Sequence, residues 1–339
     1  MRRAFDLALS VRGRTLPNPA VGAVLWDAQG RLLSEGATQP PGGEHAEAMA
    51  LRLAGAQARG GTLAVTLEPC VTFPGKRTPA CSEAILQAGI AHVIVGSLDP
   101  DPRVHGEGLR KLHEHGIEVQ EEPLEGEIPD FYAGFANFRH TGLPRVTLKI
   151  AMSRDGMATA APGTATAITG EAAKRFVHGL RAKSDAILIG KGTLLSDDPR
   201  LDVRLASGNS PQRIVLWSGS LPARDFHVYH GEATNFAGCG LRPEGLPQHV
   251  SWIPLPGERP RLSDLVAELG RRGIHELLVE PGPGLLESFL AEKAWNQLWL
   301  LRGPKGLPGG IPFDPSGSLP KSWQVRLPLA EDEAFLYRA

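Results

Sequence analysis

Short runs of β-branched and aliphatic residues alternate with Ala/Leu/Glu-rich stretches of helical length along most of this chain. That alternation constrains its fold more than any other feature. Val21 to Trp26, Leu63 to Leu67 and His92 to Val95 read as strands, while Ala46 to Ala54 and Ser82 to Ala88 read as helices closed by Gly55 and Gly89. A helix from Gly108 to His115 and a strand from Ile117 to Gln120 precede an acidic stretch, Glu121 to Asp130, without a regular period. Strands joined through helices imply right-handed crossovers and a sheet covered on both faces.

The turn cluster His140 to Pro144 ends this series, and a second one starts. Its strands are Val146 to Ala151, Ala186 to Ile189, Arg213 to Leu216, Glu276 to Val279 and Gln297 to Leu301. Its helices lie near Glu171 to Lys183, Leu262 to Arg271 and Leu285 to Glu292, and Gly303 to Pro320 reads as a long surface loop. Two α/β domains are expected, 1–143 and 144–339, in keeping with 339 residues at roughly 100–200 per domain.

Composition narrows the partners. Lys and Arg total 36 against 37 Asp and Glu, which gives no electrostatic footprint for nucleic acid or an anionic membrane. No run approaches the ~20 apolar residues that cross a bilayer, and Met1 to Ser10 lacks the layout of a cleaved leader. Three cysteines do not make a disulfide framework, and in a reducing compartment clustered cysteines serve more often as metal ligands or nucleophiles. A cytoplasmic enzyme acting on a small, neutral to anionic metabolite is the expectation.

His45-Ala46-Glu47, Glu68-Pro69-Cys70 and Cys81 carry the most chemical information. One imidazole and two thiolates hold zinc in a tetrahedron whose fourth corner stays open to water, and the metal lowers the pKa of that water toward ~7. Glu47 is two residues from the imidazole, poorly placed to share the metal and well placed to shuttle a proton between water and substrate. This is the pattern of the zinc deaminases of cytosine and adenine. His45 precedes a helix, Cys70 follows a strand and Cys81 opens a helix, where the dipole favours a thiolate. Ten residues separate the cysteines, against two in the compact P-C-x-x-C form.

With Pro17-Asn18-Pro19-Ala20-Val21-Gly22, Arg77-Thr78-Pro79-Ala80-Cys81 and Asp99-Pro100-Asp101-Pro102 added, the first part resembles the deaminase half of the bifunctional pyrimidine deaminase/reductases of riboflavin biosynthesis, the RibD family. That family carries an Arg-Thr-Pro-Pro loop between its zinc cysteines, which accounts for the wide spacing. The resemblance implies His45, Cys70 and Cys81 as zinc ligands, Glu47 as proton shuttle and Asn18 as a contact to the pyrimidine. It also makes Lys76 and Arg77 candidates for the ribose phosphate. The family's Ser-His after the first cysteine reads Val71-Thr72 here, and the loop is two residues longer.

The second part lacks G-x-G-x-x-G, so a Rossmann fingerprint is absent. Gly282-Pro283-Gly284, between a strand and a helix, is nonetheless a ready anion site. Leu148 to Gly156, Arg181 to Gly190, Gly192-Thr193, Asp197-Asp198-Pro199, Leu201, Arg204 and Val279-Glu280 resemble the reductase half of the same family. The resemblance implies a cytidine-deaminase-like three-layer domain followed by a dihydrofolate-reductase-like α/β domain that uses NADPH to reduce a ribosyl group to ribityl. Ala151, Thr193, Asp197, Ser218 and Gly282 would touch NADPH, and Arg181, Leu201, Arg204 and Glu280 the substrate, with the two arginines forking its phosphate. Lys149, inside an apolar strand, is expected to point into a polar cleft.

The family's Ser-x-Trp-Ile-Thr stretch reads Ala165-Thr166-Ala167-Ile168-Thr169, without the hydroxyl and the aromatic. A deaminase with an inactive or merely ligand-binding second domain is therefore an alternative. A nucleic-acid base deaminase and a protein with structural zinc are the others. The resemblance further implies a homo-oligomer.

Overall fold

The computed structural model describes residues 1–74, 79–159, 166–231, 233–312, 319 and 322–339. Two compact units make it up, Met1–Gly142 and Leu143–Ala339.

The first unit runs α1 (Arg2–Val11), β1 (Gly22–Trp26), β2 (Leu32–Ala37), α2 (Ala46–Ala54), β3 (Thr62–Val65), α3 (Cys81–Ala88), β4 (His92–Val95), α4 (Glu107–Glu114), β5 (Glu118–Glu121) and α5 (Glu127–Thr141). Its sheet has the order β2-β1-β3-β4-β5. Strand β1 is antiparallel to both neighbours, whereas β3, β4 and β5 are parallel. Strands β2 and β3 therefore run the same way and finish at one edge, where the chain leaves them toward α2 and α3. Two glycines let helices rest on bare strand backbone: a Cβ at Gly22 would lie 1.9 Å from the Ala4 carbonyl oxygen, and one at Gly36 2.1 Å from that of Ala46.

The acidic stretch is only partly irregular, because α5 starts at Glu127 and carries Glu127 and Asp130 in its first turn. Acidic residues there complement the positive end of the helix dipole, so charge density marks a helix start and not a loop. Its inward face, Ile128, Phe131 and Tyr132, packs into the core of the unit.

The second unit runs β6 (Arg145–Met152), β7 (Met157–Thr159), α6 (Glu171–Ala182), β8 (Ala186–Gly190), α7 (Lys191–Asp197), β9 (Gln212–Leu216), β10 (Thr234–Cys239) and β11 (Ser251–Leu255). It continues with α8 (Leu262–Arg271), β12 (Glu276–Val279), α9 (Pro283–Ala291), β13 (Gln297–Arg302), β14 (Ile311–Pro312), β15 (Val325–Leu329) and β16 (Asp332–Arg338). The large sheet has the order β11-β10-β9-β8-β12-β6-β13-β16-β15. It is parallel from β11 to β13, and β16 and β15 complete it antiparallel. Strand β12 is buried at every residue, as a central parallel strand requires. Helix α8 buries Leu262, Leu265, Val266 and Leu269, one face at helical period.

Candidate active sites

In the first unit the shared edge of β2 and β3 brings three donors together. His45 is the N-cap of α2 with extended backbone (φ −72°, ψ 158°), Cys70 lies in the segment after β3, and Cys81 is the first residue of α3. His45 Nδ1 stands 3.4 Å from Cys81 Sγ and 3.7 Å from Cys70 Sγ, and one ligand atom from each residue lies within 4.8 Å of the others. Zn–N and Zn–S bonds of ~2.0–2.3 Å at tetrahedral angles place ligand atoms ~3.6 Å apart, so the cluster fits zinc in both donor type and size. The Cys81 N–H donates to Cys70 Sγ at 3.4 Å, a bond that favours the thiolate.

Glu47, in the first turn of α2, is 3% exposed. Burial first, and then the negative charge of Cys70, push its carboxyl up to about 7, against the opposing pull of His45. A carboxyl with a pKa close to neutrality can both take and return a proton. Asn18 sits half-buried in the turn before β1, its N–H donating to the Thr15 carbonyl at 2.9 Å. Lys76 and Arg77 lie outside the described residues.

In the second unit a cleft of about 950 Å³ opens at the carboxyl ends of β6, β8, β9 and β12. In doubly wound parallel sheets ligands bind at this edge. Ala151, Thr193, Asp197, Ser218 and Gly282 all line it, as does Glu280. Gly282 is the N-cap of α9, and a Cβ there would come within 3.2 Å of Thr193 Oγ1. The glycine thus keeps backbone open toward the cleft at a helix N-terminus, and Lys191 adds a cation to the lining. These features fit a large anionic dinucleotide such as NADPH.

Lys149 reaches the cleft as expected, with Nζ 3.5 Å from Glu280 Oε2. Arg181 meets the same carboxylate through Nε at 2.7 Å and Nη2 at 3.1 Å, and donates from Nη1 to the Asp202 carbonyl at 3.1 Å. Its fork, expected on a phosphate, is engaged within the protein. Burial alone would push Glu280 up, but Lys149 and Arg181 outweigh it and hold the carboxyl at about 2. Leu201 is buried in the core at φ 54°, and Arg204 is exposed and paired with Asp202. Ala165 lies outside the described residues; Ala167 is exposed, and Thr166 and Ile168 line the cleft at that stretch.

Known proteins match both units. The family model described as the cytidine and deoxycytidylate deaminase zinc-binding region matches residues 1–97, and that described as the RibD C-terminal domain matches residues 144–335. The riboflavin biosynthesis protein RibD of Mycobacterium tuberculosis is 40% identical over 319 residues, covering 92% of this chain and 86% of that protein. RibD of Escherichia coli is 37% identical over 323 residues, covering 90% of this chain and 87% of its own length. The chain belongs to the RibD family. Among solved structures, the Thermotoga maritima diaminohydroxyphosphoribosylaminopyrimidine deaminase/5-amino-6-(5-phosphoribosylamino)uracil reductase superposes with a TM-score of 0.82 at 31% identity, covering 100% of this chain and 97% of that one. Acinetobacter baumannii RibD gives 0.79 at 32% identity, covering 99% and 97%.

As a RibD member the chain is a bifunctional riboflavin-pathway enzyme, a zinc-dependent deaminase joined to an NADPH-dependent reductase. Its first unit has the cytidine-deaminase-like fold and its second the RibD reductase fold. The described residues include no helix long and apolar enough to cross a membrane.

Sequence reasoning passed over two groups near these sites. Glu68 was visible only as part of a motif, yet its carboxylate is buried among main-chain amides. His178 on α6 is buried as well, and its Nδ1 accepts the Arg204 N–H at 3.2 Å. Its spacing of three residues before Arg181, one helical turn, was the available signal.

Proposed function

We propose that the enzyme hydrolyses an exocyclic amine of a diaminohydroxypyrimidine carrying a ribosylamino phosphate, then reduces the ribosyl group of the product to ribityl. The deaminase activity is assigned to 1–143 and the reductase activity to 144–339. One observation carries the reading: His45, Cys70 and Cys81 converge at zinc-binding distance beside the buried Glu47.

When bound, zinc supplies a nucleophilic oxygen at neutral pH by lowering the pKa of water. His45, Cys70 and Cys81 hold it. Glu47 accepts the proton of the attacking water and returns it to the departing amine, so that C–NH2 and H2O become C=O and NH3. Asn18 orients the pyrimidine. In the second unit NADPH supplies hydride. Ala151, Thr193, Asp197, Ser218 and Gly282 hold the cofactor, Glu280 accepts hydrogen bonds from sugar hydroxyls, and Arg181, Leu201 and Arg204 bound the substrate side. Because Glu280 joins Lys149 and Arg181, it stays anionic and keeps its acceptor capacity. The same reading places the enzyme in the cytoplasm as a homo-oligomer, acting on a small phosphorylated pyrimidine and not on nucleic acid.

The test supplies the diaminopyrimidine ribosylamino phosphate to the purified enzyme and follows ammonia and NADPH separately. Ammonia release should precede NADPH oxidation, and the deaminated intermediate alone should support oxidation. Ammonia release with no oxidation of NADPH by that intermediate would leave a deaminase only.

A further inference from the structure

Glu68 is 2% exposed and stands two residues ahead of Cys70 in the segment that leaves β3. One carboxylate oxygen accepts the N–H groups of Asp99 at 3.1 Å and Gly106 at 2.9 Å, and the other accepts those of Gly108 at 2.8 Å and Leu109 at 3.3 Å. Gly106 is the N-cap of α4, and Gly108 and Leu109 lie in its first turn. Those donors have no partner inside the helix, and the dipole there favours an anion. The α4 cap is thus delivered by a residue about 40 positions earlier in the chain.

Gly108, in the same turn, also approaches this segment closely. A Cβ at that position would sit 2.2 Å from the Pro69 carbonyl oxygen and 3.1 Å from Glu68 Cγ. The Glu68 N–H donates to the Ser97 carbonyl at 2.9 Å, and the Cys70 carbonyl accepts the Ser82 N–H at 3.2 Å. The backbone is therefore fixed on both sides of the Cys70 sulfur. All of this lies in the first unit.

We infer that Glu68 is a positioning residue of the zinc centre. With Gly108 it clamps the main chain that presents Cys70 Sγ to His45 Nδ1 and Cys81 Sγ, and so makes α4 part of the framework of the metal site. The inference rests on Cys70 being a zinc ligand. Gln is nearly isosteric with Glu but sets an NH2 against N–H donors, so E68Q removes the carboxylate contact at constant volume. G108A breaks the close approach by pushing the Pro69 carbonyl.

The experiment loads the full chain with zinc and measures metal release to a colorimetric chelator below the melting temperature of each variant. Partners that orient metal ligands are typically worth about 10–100-fold in metal affinity, so E68Q and G108A should release zinc at least about tenfold faster than the unaltered chain. Leu25→Ala, a lesion of the same core that touches none of these bonds, should lower the melting temperature and leave release unchanged. A second measurement needs no variant. Coupling is reciprocal, so removing zinc from the unaltered chain should speed amide exchange at Gly106 and Gly108.

Release from E68Q and G108A at the Leu25→Ala rate, or amide exchange indifferent to zinc, would overturn the inference. C70S losing zinc supports the ligand assignment on which it stands. C70S binding zinc with unaltered affinity would remove that assignment and the inference together.

Discussion

Glu47 and Glu280 show how one side-chain type is set to two tasks by its surroundings. Burial dominates at Glu47 and raises its carboxyl to about 7, whereas two cations outweigh burial at Glu280 and hold it at about 2. On the proposed mechanism, replacing Glu47 with Gln removes the proton carrier and leaves His45, Cys70 and Cys81 in place. Ammonia release should fall by ~10²–10⁴-fold while metal analysis shows zinc retained. Glu280 makes a pH prediction. Its folded value lies below the 4.5 of the unfolded chain, so its contribution to stability is fully present above pH 4.5 and is lost as pH falls toward 2. At 1.36 kcal/mol per unit this amounts to about 3 kcal/mol. Urea unfolding from pH 6 to 2 should show a flatter acid limb for Glu280→Gln, and an unchanged slope would argue against the pairing with Lys149 and Arg181.

At the scale of elements, the buried parallel strands and the helices with a clear apolar stripe were legible in the sequence. Strand β12 and helix α8 fall on the residues expected, because burial of the strand leaves the apolar run Leu277-Leu278-Val279 and one-sided burial a helical period. Strands β15 and β16 were not legible. Arg326 and Pro328 interrupt β15, whose residues alternate between exposed and half-buried, as an edge strand does. The short helix α7 was hidden too, since of its seven residues only Leu194 is buried. The convergence of His45, Cys70 and Cys81 could be read because these donor types are rare and ordered, whereas the engagement of Arg181 with Glu280 depends on a contact spanning 99 residues. A prediction at this scale concerns Gly36, where α2 meets β2 through backbone. Gly36→Ala must displace the helix that carries His45 and Glu47. It should cost ~1–3 kcal/mol in denaturant unfolding and weaken zinc retention, and a variant as stable as the parent would show that the contact yields freely.

On the scale of the whole molecule, each unit contains its own core: the residues packed around Phe5, Leu25 and Ile85 in one, and those around Ile187, Trp217 and Phe236 in the other. Separate cores imply separable chemistry. Removing zinc from the full chain with a chelator should abolish ammonia release and leave NADPH oxidation by the deaminated intermediate intact. Loss of both activities together would show that the metal supports the second unit as well. The cleft draws most of its lining from the segments that follow β8, β9 and β12, with β6 contributing Lys149, Ile150 and Ala151, while the residues of β12 itself are buried. Such a division lets heritable change act on the rim alone: a new substituent on the sugar or a different coenzyme could be accommodated by exchanging a few loop residues, with the hydrophobic interior left untouched.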